Sequence, residues 1–73
     1  MGQLGNTALL KEIAKELKRL RHLKGVSQED VFNDTEIHIG RIETGRNNIS
    51  VSTLNALCIY FDISLSDFFK NIK

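Results

Sequence analysis

Apolar residues recur at intervals of three and four positions along most of this chain, in segments separated by glycines or helix-capping residues. In the first segment they are Leu9, Leu10, Ile13, Ala14, Leu17 and Leu20. This spacing places them on one face of a helix, while lysine and glutamate occupy the opposite face. Gly25 follows the segment and is typical of a residue that ends a helix in the left-handed conformation. No segment alternates with a period of two, so the pattern predicts helices and no strands.

Capping residues predict where each helix begins. The candidates are Asn6 or Thr7, Ser27, Asp34 or Thr35, Ser50 and Ser64. An acidic residue stands three positions after both Ser27 and Ser64, as in a capping box. Residues 33–35 are turn and cap formers, so we expect the second helix to stop before them and a third to occupy about 35–44. The chain is therefore predicted to be an all-α, five-helix domain over 7–73, after a flexible N-terminus at 1–6.

Size and residue content exclude several classes of protein. With 73 residues, of which 41% are hydrophobic, the chain can form one small core but not two domains. A single cysteine cannot form an internal disulfide, and no Cys/His cluster offers zinc ligands. The sequence has no nucleophile beside a base and no phosphate-binding glycine loop, so we expect no catalytic residues, metal or cofactor. No stretch approaches the roughly 18 apolar residues of a membrane span, and no signal peptide is evident, which predicts a cytoplasmic protein that does not bind membranes.

Four motifs follow one another in an informative order. They are VSQEDV at 26–31, GRIETGRNN at 40–48, STL at 52–54 and ISLSDFF at 63–69. Behind a basic first helix that ends in Lys-Gly, this order resembles the phage-repressor (Cro/cI-type, XRE-like) helix-turn-helix family over roughly residues 10–70. The resemblance implies a lambda-repressor-like fold with the helix-turn-helix at helices two and three. It also implies a bacterial transcription regulator, a repressor for example, that binds a palindromic double-stranded operator as a homodimer.

The resemblance also implies roles for individual residues, because the third helix of such a domain enters the major groove while the second crosses the DNA backbone. The predicted base contacts are Glu36 to cytosine, Ile37 to a thymine methyl group, His38, and Arg41 to guanine. The predicted phosphate contacts are Gln28, Arg46, Asn47 and Asn48. Gly40 would allow close approach of the backbone. Phe69 and Ile72 on the apolar last helix are the predicted dimer contacts.

One departure from the family pattern bears on these roles. Members usually place about three more residues between the Ser-Gln-Glu motif and the recognition helix. We therefore expect the second helix or its turn to be shortened here.

The net charge of +1 is distributed unevenly along the chain. Residues 1–25 carry six basic and two acidic side chains, residues 26–48 sum to −3, and residues 49–73 are neutral. Residues 26–48 form the proposed reading unit, and a net charge of −3 there disfavours binding to DNA phosphates. We therefore expect dimerisation and the first-helix cations to raise the affinity for DNA. We also expect Glu43 to pair with Arg19 or Arg21. The same charge, together with the apolar last helix, supports a second hypothesis. It is a protein-interaction module, such as an antitoxin or adaptor, with weak or no DNA binding.

Overall fold

The computed structural model describes residues 3–4 and 6–72, and within them the chain forms five helices. These are α1 (Thr7–Lys24), α2 (Gln28–Thr35), α3 (Ile39–Ile42), α4 (Val51–Tyr60) and α5 (Leu65–Lys70). The all-α class and the helix count are confirmed. A two-residue antiparallel pair also joins β1 (Gln3–Leu4) to β2 (Ile49–Ser50). The expectation of no strands is therefore wrong for these two short segments.

Side-chain caps define four of the five helix N-termini. The capping residues are Asn6, Ser27, Ser50 and Ser64, whose side chains accept a hydrogen bond from the backbone N–H three residues later at 2.9–3.0 Å. Each such cap contributes about 1 kcal/mol relative to alanine, because it satisfies an amide that the helix leaves unpaired. Of the two candidates at α1, Asn6 is the cap. His38 precedes α3 and makes no side-chain capping bond.

Three residues of the segment predicted to be flexible, 1–6, take part in hydrogen bonds within the fold. Leu4 pairs with Ile49 and Gln3 with Ser50, so β1 lies beside the N-terminus of α4. Asn6 belongs to the cap of α1. Residues 1, 2 and 5 of that predicted segment lie outside the described residues, as does Lys73, and the domain boundary stays a prediction.

A single hydrophobic core receives side chains from all five helices and from β2. Its buried members are Leu10, Ile13, Leu17, Leu20, Val31, Ile39, Ile49, Leu54, Leu57, Cys58 and Phe68. Burial of one large apolar side chain stabilises the fold by about 1.5–3 kcal/mol. The predicted apolar face of the first helix is confirmed, and α3 contributes through Ile39, which is fully buried. The core therefore fixes where the short α3 lies relative to α2.

The predicted boundary between the second and third helices is wrong. Residues 33–35 continue α2 instead of ending it, and α3 spans four residues instead of about 35–44. The Thr35 hydroxyl donates to the Val31 carbonyl at 2.8 Å and accepts from the Ile37 amide at 3.1 Å, so it closes α2 and does not cap α3. Asp34 is likewise inside α2. α2 is therefore longer, and α3 shorter, than predicted.

Candidate nucleic-acid interface

An open cleft runs between α2 and α3 and gathers several predicted DNA-contacting residues. Its lining consists of Gln28, Glu29, Phe32, His38, Ile39, Gly40 and Arg41. The cleft brings Gln28, from the first turn of α2, onto the same open surface as Arg41 on α3. Both side chains are exposed. The structure thus places two predicted contacts, one from each helix, side by side.

Gln28 is held in place by the end of α3. Its amide Nε2 donates to Glu43 Oε1 at 2.9 Å, which uses one of the two amide N–H groups. A Cβ on Gly40 would lie 2.9 Å from Gln28 Oε1, closer than real Cβ contacts occur. The missing side chain at position 40 therefore lets the Gln28 amide lie against α3. The second N–H of Gln28 is left for a further acceptor.

Glu43 is itself anchored by a buried arginine from α1. Arg21 Nε donates to Glu43 Oε2 at 2.7 Å and Arg21 Nη2 donates to Glu43 Oε1 at 3.1 Å, in a two-pronged arrangement. Only 10% of the Arg21 side chain and 4% of the Glu43 side chain are exposed. Arg21 Nη1 also donates to the Val26 carbonyl, and the hydrogen bond to Glu43 raises the pKa of the Arg21 guanidinium. The ion pair therefore ties together the end of α1, the end of α3 and, through Gln28, the start of α2.

This pair confirms one of the two expected partners of Glu43. Arg21 is the partner, whereas Arg19 donates to Glu16 within α1. Arg21 lies outside residues 26–48 in the sequence, but its ion pair with Glu43 places it beside the reading unit. When Arg21 is included, the net charge of this region changes from −3 to −2.

Two further acidic residues of the reading unit are engaged within the fold. Asp30 Oδ2 accepts from the Ser27 backbone N–H at 2.9 Å, and this bond lowers the pKa of Asp30. Asp34 Oδ2 accepts from the Tyr60 hydroxyl at 2.6 Å. Glu29 and Glu36 are exposed. Part of the negative charge in this region therefore serves caps and tertiary contacts.

Three of the four predicted base contacts do not lie on the recognition helix. Glu36 ends α2 in the left-handed conformation, with φ of 63°, and Ile37 is partly buried against the core. The helical positions predicted for these two residues and for His38 are therefore wrong, because α3 begins only at residue 39. His38 immediately precedes α3 and Arg41 lies on it, and both are exposed. The base contacts themselves stay predictions.

The predicted phosphate contacts after α3 lie in an exposed loop. Gly45 turns the chain there with φ of 74°, which only glycine adopts without strain. The Asn47 side chain donates to the Arg41 carbonyl at 3.1 Å and thereby fastens the loop to the end of α3. Arg46, Asn47 and Asn48 are all exposed. They stand close to α3 in the fold and are available to an external acceptor.

Phe32 lies inside the cleft but was not among the site residues predicted from the sequence. Its ring stacks on the His38 ring with centroids 4.4 Å apart and planes inclined by 25°. Phe32 is 38% exposed although its neighbour Val31 is fully buried. The signal was present in the sequence, because Phe32 follows Gln28 by four positions and therefore shares its helical face.

A side-chain hydrogen bond joins the C-terminal end of α2 to α4. The Tyr60 hydroxyl donates to Asp34, and this bond raises the pKa of Tyr60 to about 12. The Lys24 ammonium lies 5.1 Å from the centre of the Tyr60 ring, within the range of a cation–π contact. The C-terminal ends of α1, α2 and α4 therefore meet at this cluster.

The two predicted dimer contacts lie on or beyond α5, away from the cleft. Phe69 is 36% exposed and packs edge-to-face on the buried Phe68 with centroids 5.6 Å apart. Ile72 is partly buried and lines a groove with Ala8 and Leu9 at the start of α1. Both residues present apolar surface, and their role in a dimer stays a prediction.

The chain matches one protein-family model over most of its length. The model described as Cro/C1-type HTH DNA-binding domain matches residues 16–73, from within α1 to the C-terminus, which confirms the resemblance seen in the sequence. No curated protein and no solved structure matches the chain. Across the described residues, no helix is both long and apolar enough to cross a membrane, and no group of His, Cys, Asp or Glu is placed to hold a metal ion.

Proposed function

Because the chain belongs to the Cro/C1-type helix-turn-helix DNA-binding domain family, we propose that it is a sequence-specific transcriptional regulator that binds operator DNA as a homodimer. In this proposal α2 lies across the phosphate backbone, and α3 with the turn before it faces the major groove. The observation that carries the proposal is the shared open surface of Gln28 and Arg41 at the α2–α3 cleft. In this arrangement the Gln28 amide can donate to a DNA phosphate and the Arg41 guanidinium can donate to a base.

Arg41 is the proposed base-reading residue of α3. Its guanidinium offers paired N–H groups that match the O6 and N7 acceptors of guanine. The side chain is exposed, whereas its neighbour Ile39 is buried and Gly40 has no side chain. Arg41 is therefore the residue of α3 best placed to reach a base edge.

The proposed contacts to the DNA backbone come from residues before and after Arg41 in the sequence. Gln28 offers its second amide N–H at the start of α2, and Arg46, Asn47 and Asn48 follow α3 in an exposed loop. Contacts to phosphate fix the register of a domain on DNA without reading sequence. Pairing of Glu43 with Arg21 supports this arrangement, because it offsets one negative charge close to the proposed phosphate path.

The proposed homodimer uses the apolar surface of Phe69 and Ile72. Two copies related by a two-fold axis would present two α3 helices, which calls for a palindromic operator with half-sites about one helical turn apart or a multiple of it. Phe69→Glu is expected to shift the protein from dimer to monomer in sedimentation velocity, because it places a charge in an apolar contact.

Selection from a random duplex pool, followed by anisotropy titration on the recovered site, tests the DNA-binding role. Arg41→Ala is expected to weaken binding by about 1–3 kcal/mol and to relax discrimination at one base pair per half-site. Lys70→Ala removes an exposed cation from α5 and serves as the matched control, with affinity close to wild type. If Arg41→Ala and Gln28→Ala both bind like the wild-type protein, the proposed interface is wrong.

A protein-interaction module is the second candidate, favoured by two exposed apolar side chains. Leu23 is 71% exposed and Ile59 is 70% exposed, and a protein partner could cover such large apolar side chains. Salt dependence separates the two functions, because each phosphate contact contributes roughly 0.9 to the slope of log affinity against log salt. A DNA binder loses affinity steeply as salt rises. Absence of DNA binding even at low salt would favour the interaction module.

A further inference from the structure

The recognition helix offers very little surface with which to read a base sequence. α3 has four residues, of which Ile39 is fully buried, Ile42 is partly buried and Gly40 has no side chain. Arg41 alone extends an exposed side chain from it. Sequence discrimination by this domain therefore needs side chains from outside α3.

Phe32 is the residue that the fold places beside Arg41 for this purpose. It comes from α2 but lines the same cleft, between Gln28 and the start of α3. More than a third of its surface is open to solvent, in contrast to the fully buried Val31 next to it. An exposed aromatic ring has an unfavourable hydration free energy, which is relieved when another apolar group covers it.

The His38 ring restricts the orientation of this phenyl group. The two rings lie nearly parallel with centroids 4.4 Å apart, so one face of Phe32 is covered by His38 and the ring cannot rotate freely. A restricted side chain loses less conformational entropy on binding than a free one. The remaining ring surface is thus presented in a defined direction at the mouth of the cleft.

We propose that Phe32 is a specificity-determining residue that contacts the 5-methyl group of a thymine in the operator, and that His38 is the positioning residue that orients its ring. The inference rests on the proposed function, because it needs the α2–α3 cleft to face the major groove. Thymine is the only base with a methyl group in that groove, and phenylalanine is one of the side chains that contact it. An apolar contact also adds affinity without another cation, which suits a reading unit whose sequence charge is −3.

Deoxyuridine substitution tests the contact, since it removes only the methyl group. Each thymine of the recovered operator is replaced in turn, and the ratio of affinities for the thymine and uracil sites is measured by anisotropy. For the wild-type protein we expect a ratio of about four at one position in each half-site, the value for burial of one methyl group. For Phe32→Ala we expect weaker binding overall and a ratio near one at that position.

Three further variants separate the contact from general effects on folding. Ile59→Ala removes an apolar side chain that is 70% exposed on α4, and it should keep the wild-type ratio. His38→Ala should lower the ratio below two while far-UV circular dichroism shows that the protein stays folded. Phe32→Leu keeps an apolar side chain in place of the ring, and we expect its thymine-to-uracil affinity ratio to be below two. This variant tests the methyl contact if Phe32→Ala does not fold.

The possible outcomes distinguish this inference from the proposed function. A ratio near one at every thymine, or a wild-type ratio retained by the Phe32 variants, overturns the methyl contact while DNA binding itself stands. Failure to recover any DNA site overturns both the methyl contact and the proposed function. Loss of the ratio in the Phe32 and His38 variants, with Ile59→Ala unchanged, supports the assignment.

Discussion

The two helices of the helix-turn-helix are stabilised in opposite ways. α2 has eight residues and a complete capping box, in which Ser27 Oγ accepts from the Asp30 amide at 3.0 Å and Asp30 Oδ2 accepts from the Ser27 amide at 2.9 Å. α3 has four residues and no side-chain cap at His38. A single turn of helix is not stable by itself, because nucleation fixes several residues for few hydrogen bonds. α2 is thus supported by its own sequence and α3 by its surroundings.

The surroundings of α3 consist of one apolar and one polar anchor. Ile39 is fully buried in the core, and Glu43, at the end of α3, is held by Arg21 and Gln28. The element that carries the proposed base contact is therefore positioned by residues distant in sequence. The position of α3, and with it the proposed base contact, therefore depends on α1 and α2, and three experiments test this dependence.

Removal of the buried arginine is expected to have the largest effect. Arg21→Met leaves Glu43 as an uncompensated buried carboxylate, which costs about 3–5 kcal/mol of unfolding free energy and is enough to unfold much of a domain this small. Urea denaturation followed by circular dichroism measures it. Lys15→Met removes the exposed partner of Glu12, 3.9 Å away, and as the control it should cost less than about 1 kcal/mol.

A second substitution shows whether the loss comes from the unpaired charge. Arg21→Met combined with Glu43→Leu removes both charges, and stability should recover to within about 1–2 kcal/mol of wild type. The affinity for DNA should nevertheless be lower than that of the wild-type protein, because Gln28 then loses Glu43, its hydrogen-bond acceptor at the end of α3. If Arg21→Met alone is as stable as wild type, α3 does not depend on this anchor.

Removal of the α2 cap is expected to have an intermediate effect. Ser27→Ala loses the side-chain bond to the Asp30 amide and should cost about 1 kcal/mol. Hydrogen exchange should quicken first at the α2 amides. Ser66→Ala, at an exposed position inside α5, is the control and should change stability by less than about 0.5 kcal/mol. Equal loss of protection in α3 and α2 would contradict a cap whose effect is local to α2.

The smallest effect concerns the contact between the C-terminal turn of α2 and α4. The hydrogen bond to Asp34 raises the pKa of Tyr60 to about 12, from an ordinary value of 10. Because the folded-state pKa is the higher one, the stabilisation is fully present below pH 10 and is lost as the pH rises from 10 through about 12. Tyr60 is the only tyrosine and the chain has no tryptophan, so phenolate absorbance follows it alone.

That absorbance should rise near pH 12 in the folded protein and near pH 10 in urea. Asp34→Asn should bring the folded-state midpoint down towards 10, since it removes the carboxylate that disfavours the phenolate. A midpoint near 10 in the wild-type folded protein would show that Tyr60 does not fasten α2 to α4. Circular dichroism at each pH identifies the range in which the protein is folded.

Most of the fold followed from local sequence signals. Asn6, Ser27, Ser50 and Ser64 were predicted as cap candidates, and each caps the helix expected to begin there. These predictions succeeded because a cap and its target lie three residues apart and need no tertiary contact. The apolar spacing of α1 likewise identified its buried face.

The candidate site was predicted less completely than the fold. Gln28 and Arg41 were named, and the structure places them together. The third helix, however, begins only at Ile39, after three residues that had been assigned to it: Glu36, Ile37 and His38. Asp34 and Thr35 resemble caps in sequence, yet both lie inside α2, where the Thr35 hydroxyl donates back to the Val31 carbonyl and closes the helix. Phe32 was overlooked because its stacking partner His38 lies six residues away, across the turn.

The helical class, the four side-chain caps and the family can be recognised from the amino-acid sequence, because they depend on the order and spacing of residues along the chain. The start of α3, the arginine that pairs with Glu43 and the side chains that meet in the cleft depend on how the helices pack against one another. A four-residue helix has too few internal hydrogen bonds to define its own ends. Its position follows from the burial of Ile39 and the Arg21–Glu43 ion pair, which form only when α1, α2 and α3 come together.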